Sequence, residues 1–318
     1  MNGKRITCLS GGVGGSKLVE GLYRNRNGDK LQLRAIVNVG DDSDILGLRL
    51  CPDIDILTYT LAGIVDELKG WGIKNDTFNF MSFSERLNAK PYLMLGDADL
   101  AVSIYRTWRL SQGATLSSIT KEVARLLGVD MDIAPATNGK MTTMIFTSSG
   151  WIPFEEYFVK YNSQPDVLAI RYEGSGSAEI TEEAKSYLDT SDALIICPSN
   201  PIASIGPILA IGDFYRRLTA ARAFRIAVTP IVGGRAIKGP ADRMMRSLGI
   251  DPSPVGVCRF YLPFIDAFVL DVRDEELKNE IESLGVKCIV LDTLMHTAEE
   301  KEKFALKILK SIEQYLPE

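Results

Sequence analysis

Short apolar runs alternate with amphipathic stretches along most of this chain. RITCLS, residues 5–10, reads as a buried strand. After four glycines, KLVEGLYRNR carries apolar positions at the three-to-four spacing of a helix. LQLRAIVNVGDD predicts a second strand ending in acids, and ILTYTLAGIVDEL a second helix. PYLMLGDADLAVSIYRTWRL repeats the order as an apolar run expected to be a strand, a Gly-Asp turn and a helix. LSSITKEVARLLGV is expected to be helical, and KMTTMIFTSSGWIPFEEYFVKY alternates like a hairpin or meander.

From DALIIC onward the strand–helix rhythm returns. IGPILAIGDFYRRLTA and GPADRMMRSLGI read as helices around the strand FRIAV. AFVLDVRD and KCIVLDT read as strands, and AEEKEKFALKILKSIEQYL as the last helix. This order predicts an α/β fold with a Rossmann-like, mostly parallel sheet and helices on both faces. No tandem repeat or low-complexity linker interrupts it. Residues 1–318 are therefore expected to be a single α/β domain, with a smaller inserted α+β region at about 115–180.

Composition narrows the function. A net charge of −5 over 318 residues gives no overall basic field, so nucleic acid is not an expected partner. Five scattered cysteines without a C-x-x-C pair argue against a disulfide framework or zinc site and for a reducing compartment. No run approaches the ~20 apolar residues of a membrane span, and MNGKRITCLSGG lacks the apolar core of a signal peptide. A cytoplasmic protein is expected. His296, the only histidine, is expected on a surface helix, which argues against a His triad or a His-based metal site.

The unusual residues gather after the strands, where open α/β sheets bind ligands. SGGVGGSK follows the first strand. Its glycines Gly11, Gly12, Gly14 and Gly15 allow main-chain N–H groups to approach an anion, with Lys17 in the helix that follows. The stretch matches G-x-G-x-x-G only in part and is not a Walker loop, so a tight strand-to-helix turn stays open beside phosphate binding. NVGDDSD brings Asp41 and Asp42 to the end of the second strand, and CPDIDIL adds Asp53 and Asp55. Neighbouring carboxylates suit Mg²⁺ beside a phosphate; an Asp-capped turn is the plainer reading. LGDADLA supplies Asp97 and Asp99. CPSNPIASIGPI presents Ser199 and Asn200 in a proline-bounded loop, and TPIVGGRAIKGP offers Gly233, Gly234 and Lys238 for an anion, or else an ordinary solvated face. Without histidine or a cysteine nucleophile motif, chemistry must rest on carboxylates, metal and backbone donors, which points to phosphoryl-type transfer.

Together, SGGVGGSKL, IVNVGDD, CPDIDILTYTLAG, GWGIKNDTF, LGDADLA, PSNPIASIGPIL and TPIVGGRAIKGPADRMM resemble the 2-phospho-L-lactate transferase family of coenzyme F420 biosynthesis. FEEYFVKY also fits. The resemblance implies an enzyme joining the phospho-three-carbon-acid moiety of a guanosine diphosphate ester to the ribityl hydroxyl of the deazaflavin FO. GMP is released and Mg²⁺ is required; the acid is 2-phospholactate or, in bacterial relatives, enolpyruvyl phosphate. By the same resemblance, Gly11, Gly12, Gly14, Gly15 and Lys17 line the diphosphate, and Ser199, Asn200, Gly233 and Gly234 contact the nucleotide half. Asp41, Asp42 and Asp55 hold Mg²⁺, with Asp53 counted among the catalytic acids. Asp55, Leu95, Gly96, Asp97 and Asp99 face FO. Partners are these small molecules, with no nucleic acid and no membrane; a homodimer stays open.

Two places depart from the family pattern. Ala98 stands where an arginine is usual, and Asn138 and Gly139 stand where paired aspartates are usual. They imply a pocket retuned for a different three-carbon acid or, alternatively, a nucleotide-sugar-binding regulator without catalysis.

Overall fold

The computed structural model describes residues 3–26, 31–89 and 91–316. Its central sheet holds β1 (Lys4–Ser10), β2 (Leu31–Val37), β3 (Asp132–Pro135), β4 (Ala193–Ile196), β5 (Phe224–Val228), β6 (Ala267–Asp271) and β7 (Lys287–Leu291). Every pairing in this sheet is parallel. The spatial order, read from one edge, is 3-2-1-4-5-6-7. The first six follow the doubly wound dinucleotide-binding order, and the winding reverses between β1 and β4. A crevice opens at that point beyond the carboxyl ends, because the connections leave in opposite directions.

Burial on both faces explains the composition of these strands. Ala193, Leu194, Ile195 and Ile196 of β4 are all buried, as are Ile6, Cys8 and Leu9 of β1. Parallel strands covered on both sides read as continuous apolar runs. The helix α1 (Gly12–Arg24) covers one face of β1 and β2 and packs on α2 (Pro52–Leu61) and on the C-terminal helix Ala298–Glu313. The helix Glu182–Thr190 packs against β1, β2 and β3 from the other face.

The stretch 115–180 is divided between two layers. Its helix Leu116–Leu126 and strand β3 extend the main sheet at the β2 edge. Thr142–Thr147, Gly150–Pro153 and Ala169–Glu173 form a separate three-stranded antiparallel sheet, with the short helix Phe154–Val159 following its hairpin.

Three expected elements differ. ILTYTLAGIVDEL is helical only as far as Leu61, after which Val65 makes an isolated antiparallel bridge to Ile73. PYLML is not a strand: residues 91–96 form an irregular segment. Leu95 there is buried with Leu50, Met81 and Leu100 in a small cluster apart from the main core. Its apolar residues serve that local packing instead of a ladder. IGPILAIGDFYRRLTA is broken into a π-helical turn Pro201–Ile205, a short helix Gly206–Leu209 and the helix Phe214–Ala220. Gly212, at φ +44°, turns the chain between the last two.

The contact between α1 and the C-terminal helix depends on Gly21. A side chain there would run into the Lys301 carbonyl and the Ala305 methyl group. Beside it, Lys301 Nζ bonds Glu20 Oε2 at 2.7 Å, both groups being buried. Gly21→Ala gains about 1 kcal/mol of helix propensity but forces the helices apart, at about 1–3 kcal/mol of overpacking, and more against backbone. A lower urea midpoint with unchanged m-value is expected. An unchanged midpoint would mean that the two helices separate freely.

Candidate active site

The chain leaves β1 at Ser10 and turns through Gly11 into α1. A side chain on Gly11 would stand 2.6 Å from Asp53 Oδ2 and 2.7 Å from Ser204 Cβ, so only glycine fits. Gly12 follows in the left-handed region, at φ +64°, and its N–H donates to Asp53 Oδ1 at 2.7 Å. Across the switch point, Ser199 Oγ accepts from Gly11 N at 3.1 Å and donates to Gly11 O at 2.8 Å. That exchange ties the loops after β1 and β4 to each other. From the end of β2, Asn38 Nδ2 donates to Asp53 Oδ2 at 2.9 Å.

These loops open onto a cleft of about 880 Å³. Its lining combines Gly11, Gly12, Gly14, Lys17, Asn200, Lys238 and Arg243 with the carboxylates Asp41, Asp53, Asp55 and Glu155 and the apolar side chains Ile56, Leu93, Met94 and Leu95. Burial makes the carboxylates unusual. Asp53 is 4% exposed; burial raises its pKa to about 6, against the pull of the Asn38 and Gly12 donors. Burial, then the Asp53 charge, raises Glu155 to about 7. Asp41 is pushed up by burial and by the charges of Asp53, Glu155 and Asp42, and its buried Oδ1 has no hydrogen-bond partner. Lys17 donates to the Met295 carbonyl at 2.8 Å, and burial followed by the charges of Lys301 and Lys238 lowers its pKa.

Residues 6–309 match the family described as 2-phospho-L-lactate transferase CofD. The chain belongs to the 2-phospho-L-lactate transferase family. It is similar to the 2-phospho-L-lactate transferase of Methanopyrus kandleri, with 37% identity over 98% of each chain. That of Methanocaldococcus jannaschii is 35% identical over 96% of this chain and 97% of the relative. A protein named phosphoenolpyruvate transferase, from Kitasatospora aureofaciens, is 29% identical over 98% of both chains. Among solved structures, a Bacillus halodurans protein of the upf0052 family superposes with a TM-score of 0.63, covering 97% of this chain and 99% of that one. At 15% identity it speaks for the fold alone.

The transferase cleft does not gather every residue singled out in the sequence. Gly11, Gly12, Gly14, Lys17, Asp41, Asp53, Asp55, Leu95, Asp99, Ser199, Asn200 and Lys238 line it; Gly15, Asp42, Gly96, Asp97, Gly233 and Gly234 do not. Gly15 packs beneath the loop on the Ser10 and Ser199 hydroxyls. Asp42 lies behind the wall, where Cys51 Sγ donates to it at 3.1 Å; burial raises it to about 7, opposed by Cys51 and Arg49. Asp55 faces the cleft while bonded to Arg106, which is 2% exposed and also donates to the Arg49 carbonyl at 3.2 Å.

Asp97 works as a cap. It accepts from Thr77 Oγ1 at 2.6 Å and from Asn79 N and Phe80 N at 3.0 Å, and these donors lower its pKa to about 2. In return, Asp76 accepts from Ala98 N at 2.9 Å and Asp99 N at 3.1 Å, capping the helix Asp97–Ser111. Gly96 closes on this pair. Gly233 N donates to the Asp274 carboxylate at 3.0 Å, outside the cleft, although Pro230, Ile237 and Lys238 of the same loop line it. Asn138 is structural: its Oδ1 accepts from Ser117 N at 2.8 Å at the start of a helix. His296 is in a loop, not a helix; it is exposed at the cleft edge, before the capping box of the C-terminal helix.

Glu155, Arg106, Tyr59 and Arg243 were not singled out by the sequence. Tyr59 OH donates to Asp99 Oδ1 at 2.8 Å, and burial with the nearby Asp55 raises Asp99 to about 6. Tyr59, Glu155 and Arg243 lie in stretches that carry the family resemblance, CPDIDILTYTLAG, FEEYFVKY and TPIVGGRAIKGPADRMM, but nothing local marks these particular side chains. Among the described residues, no three His, Cys, Asp or Glu side chains form a ready metal cage. No helix among them is long and apolar enough to cross a membrane.

The raised carboxylates have a thermodynamic consequence. Asp53, Glu155 and Asp42 hold protons in the native state that the unfolded chain releases above about pH 4. Native protein therefore binds more protons between about pH 4 and 7, and stability falls as pH rises through that window. Without divalent ions or ligands, the melting temperature is expected to be lower at pH 7.5 than at pH 5. Asp53→Asn is expected to flatten the difference. A melting temperature that rises over the same window would contradict this electrostatic picture.

Proposed function

We propose that this enzyme transfers a phospho-three-carbon-acid moiety from a guanosine diphosphate ester to the terminal ribityl hydroxyl of the deazaflavin FO, releasing GMP, in coenzyme F420 biosynthesis. The observation carrying this reading is the composition of the cleft: the first-turn N–H groups of α1 at Val13 and Gly14 with Lys17, Lys238 and Arg243 for a diphosphate, buried carboxylates, and apolar surface from Ile56, Leu93, Met94 and Leu95 for a flat ring. The names of the relatives support the donor class. Phospholactyl transfer agrees with those at 37% and 35% identity, and phosphoenolpyruvyl transfer with the one at 29%.

In this reaction the hydroxyl oxygen of FO bonds to the phosphorus bearing the three-carbon acid. The anhydride bond to GMP breaks, and its electron pair leaves with the GMP phosphate. The hydroxyl proton passes to one of the cleft carboxylates. Lys17, Lys238 and the main-chain amides offset the phosphate charge, and the fixed loops align acceptor with donor.

Mg²⁺ fits the donor set. It needs only one or two carboxylates when substrate phosphates and water complete its shell, and the partnerless Asp41 Oδ1 is an acceptor left open at high burial cost. Asp41 and Asp53 would hold the ion; Asp55, neutralised by Arg106, and Asp42, behind the wall, are poorer candidates. Bound there, Mg²⁺ would supply neutralisation of charge on the transferring phosphoryl group.

The test is GMP release from FO with each donor and Mg²⁺, followed by mass. Asp41→Asn is expected to reduce turnover by about 100-fold or more without lowering the melting temperature, since it removes a buried charge. FO and GDP binding without turnover in the wild type would favour the regulatory reading instead. Normal turnover of Asp41→Asn would remove the metal assignment.

A further inference from the structure

The turn after β4 contains three polar side chains, and two are consumed in building it. Ser199 Oγ exchanges hydrogen bonds with Gly11 in both directions. Asn200 Oδ1 accepts from Ile202 N at 2.9 Å and Ala203 N at 3.2 Å, capping the π-helical turn Pro201–Ile205. Ser204 differs. It is 5% exposed, its residue lines the cleft, and its hydroxyl has no hydrogen bond to any described residue. The hydroxyl is reachable from the cleft and is not spent on the fold, so it is free to donate to what binds there.

Its position says what that is. Ser204 Cβ stands against Gly11, beside Asp53 Oδ2, and Ser204 Oγ is 3.9 Å from where a side chain on Gly12 would begin. Each oxygen of the neighbouring Asp53 already accepts one bond, Oδ1 from Gly12 N and Oδ2 from Asn38 Nδ2, and Ser204 Oγ bonds neither. The π-helical geometry places this hydroxyl; Ile205 N bonds Asn200 O at 3.0 Å, and such single π turns are frequent at functional sites. An anion seated on the glycine loop in front of the carboxylates meets Ser204 as a side-chain donor.

We infer that the Ser204 hydroxyl donates a hydrogen bond to a non-bridging oxygen of the phosphoryl group being transferred. This rests on the reaction proposed above and adds a catalytic residue to it. The bond strengthens as charge builds on that oxygen, so its loss is felt in kcat more than in KM.

Ser204→Ala tests the inference, because it keeps the Cβ that packs on Gly11 and removes only the hydroxyl. The expected result is a fall in kcat of about 100-fold with an unchanged melting temperature. Donors carrying sulfur for one non-bridging oxygen on the transferred phosphorus give the second readout, since sulfur accepts hydrogen bonds poorly. One diastereomer should slow the wild type, and the same replacement should cost Ser204→Ala clearly less. Wild-type kcat in Ser204→Ala, or sulfur effects that simply multiply with the mutation, would overturn the role. If wild type itself releases no GMP from either donor, the reaction reading fails separately. Titration calorimetry with GDP then decides for Ser204: about tenfold weaker binding by Ser204→Ala retains the anion contact, and equal binding removes it.

Discussion

The region beyond β1, β2 and β4 is organised around one costly arrangement, the burial of the Asp53 carboxylate against the glycine turn. A carboxylate this deep survives because donors are fixed around it: Gly12 N on one oxygen and Asn38 Nδ2 on the other. Those donors come from the ends of β1 and β2. Asp53 itself comes from the first turn of α2, and Ser199 from the end of β4 locks the glycine turn from across the switch point. The carboxylate thus cross-links three connections and cannot move without uncapping its donors. Asp41 and Glu155 then stand in its field, where burial keeps repulsion effective.

From that constraint follows the character of the cleft. Main-chain N–H groups and lysines can offset a diphosphate, while the carboxylates can accept a cation or a proton. Having both in one cleft lets the site hold an anion beside groups that would otherwise repel it. The nearby acids are kept distinct by their partners. Asp55 is neutralised by Arg106, Asp42 is turned toward Cys51, and Asp97 is spent on capping. Six similar residues within sixty positions therefore have different chemical prospects, set by what each side chain meets.

The separate antiparallel sheet contributes beyond its own packing. Its hairpin leads directly into the helix Phe154–Val159, which brings Glu155 and Phe158 to the cleft. Residues 91–96 form another wall. They are irregular because their apolar side chains are used by a small local cluster and by the cleft itself, so they have no place in the main sheet.

Much of this was legible in the chain alone. Apolar runs bounded by Gly, Asp and Pro marked the parallel strands, since burial on both faces leaves little room for polar alternation. The same runs placed the glycine turn, Asp41 and the Ser199 loop at strand ends, where an open sheet leaves a crevice, and Asp53 at the start of a helix. The strand order, and hence which ends adjoin, was decided only by tertiary pairing. So were the separate fates of Asp42, Asp55 and Asp97, the bonding of Gly233 to Asp274, and the arrival of Glu155. The physical reason is that local pattern reports which residues are buried and in what element, whereas a charged group's role depends on its partners in space. Those partners lie 41 residues away for Gly12 with Asp53 and 188 for Gly11 with Ser199, beyond the reach of any periodicity.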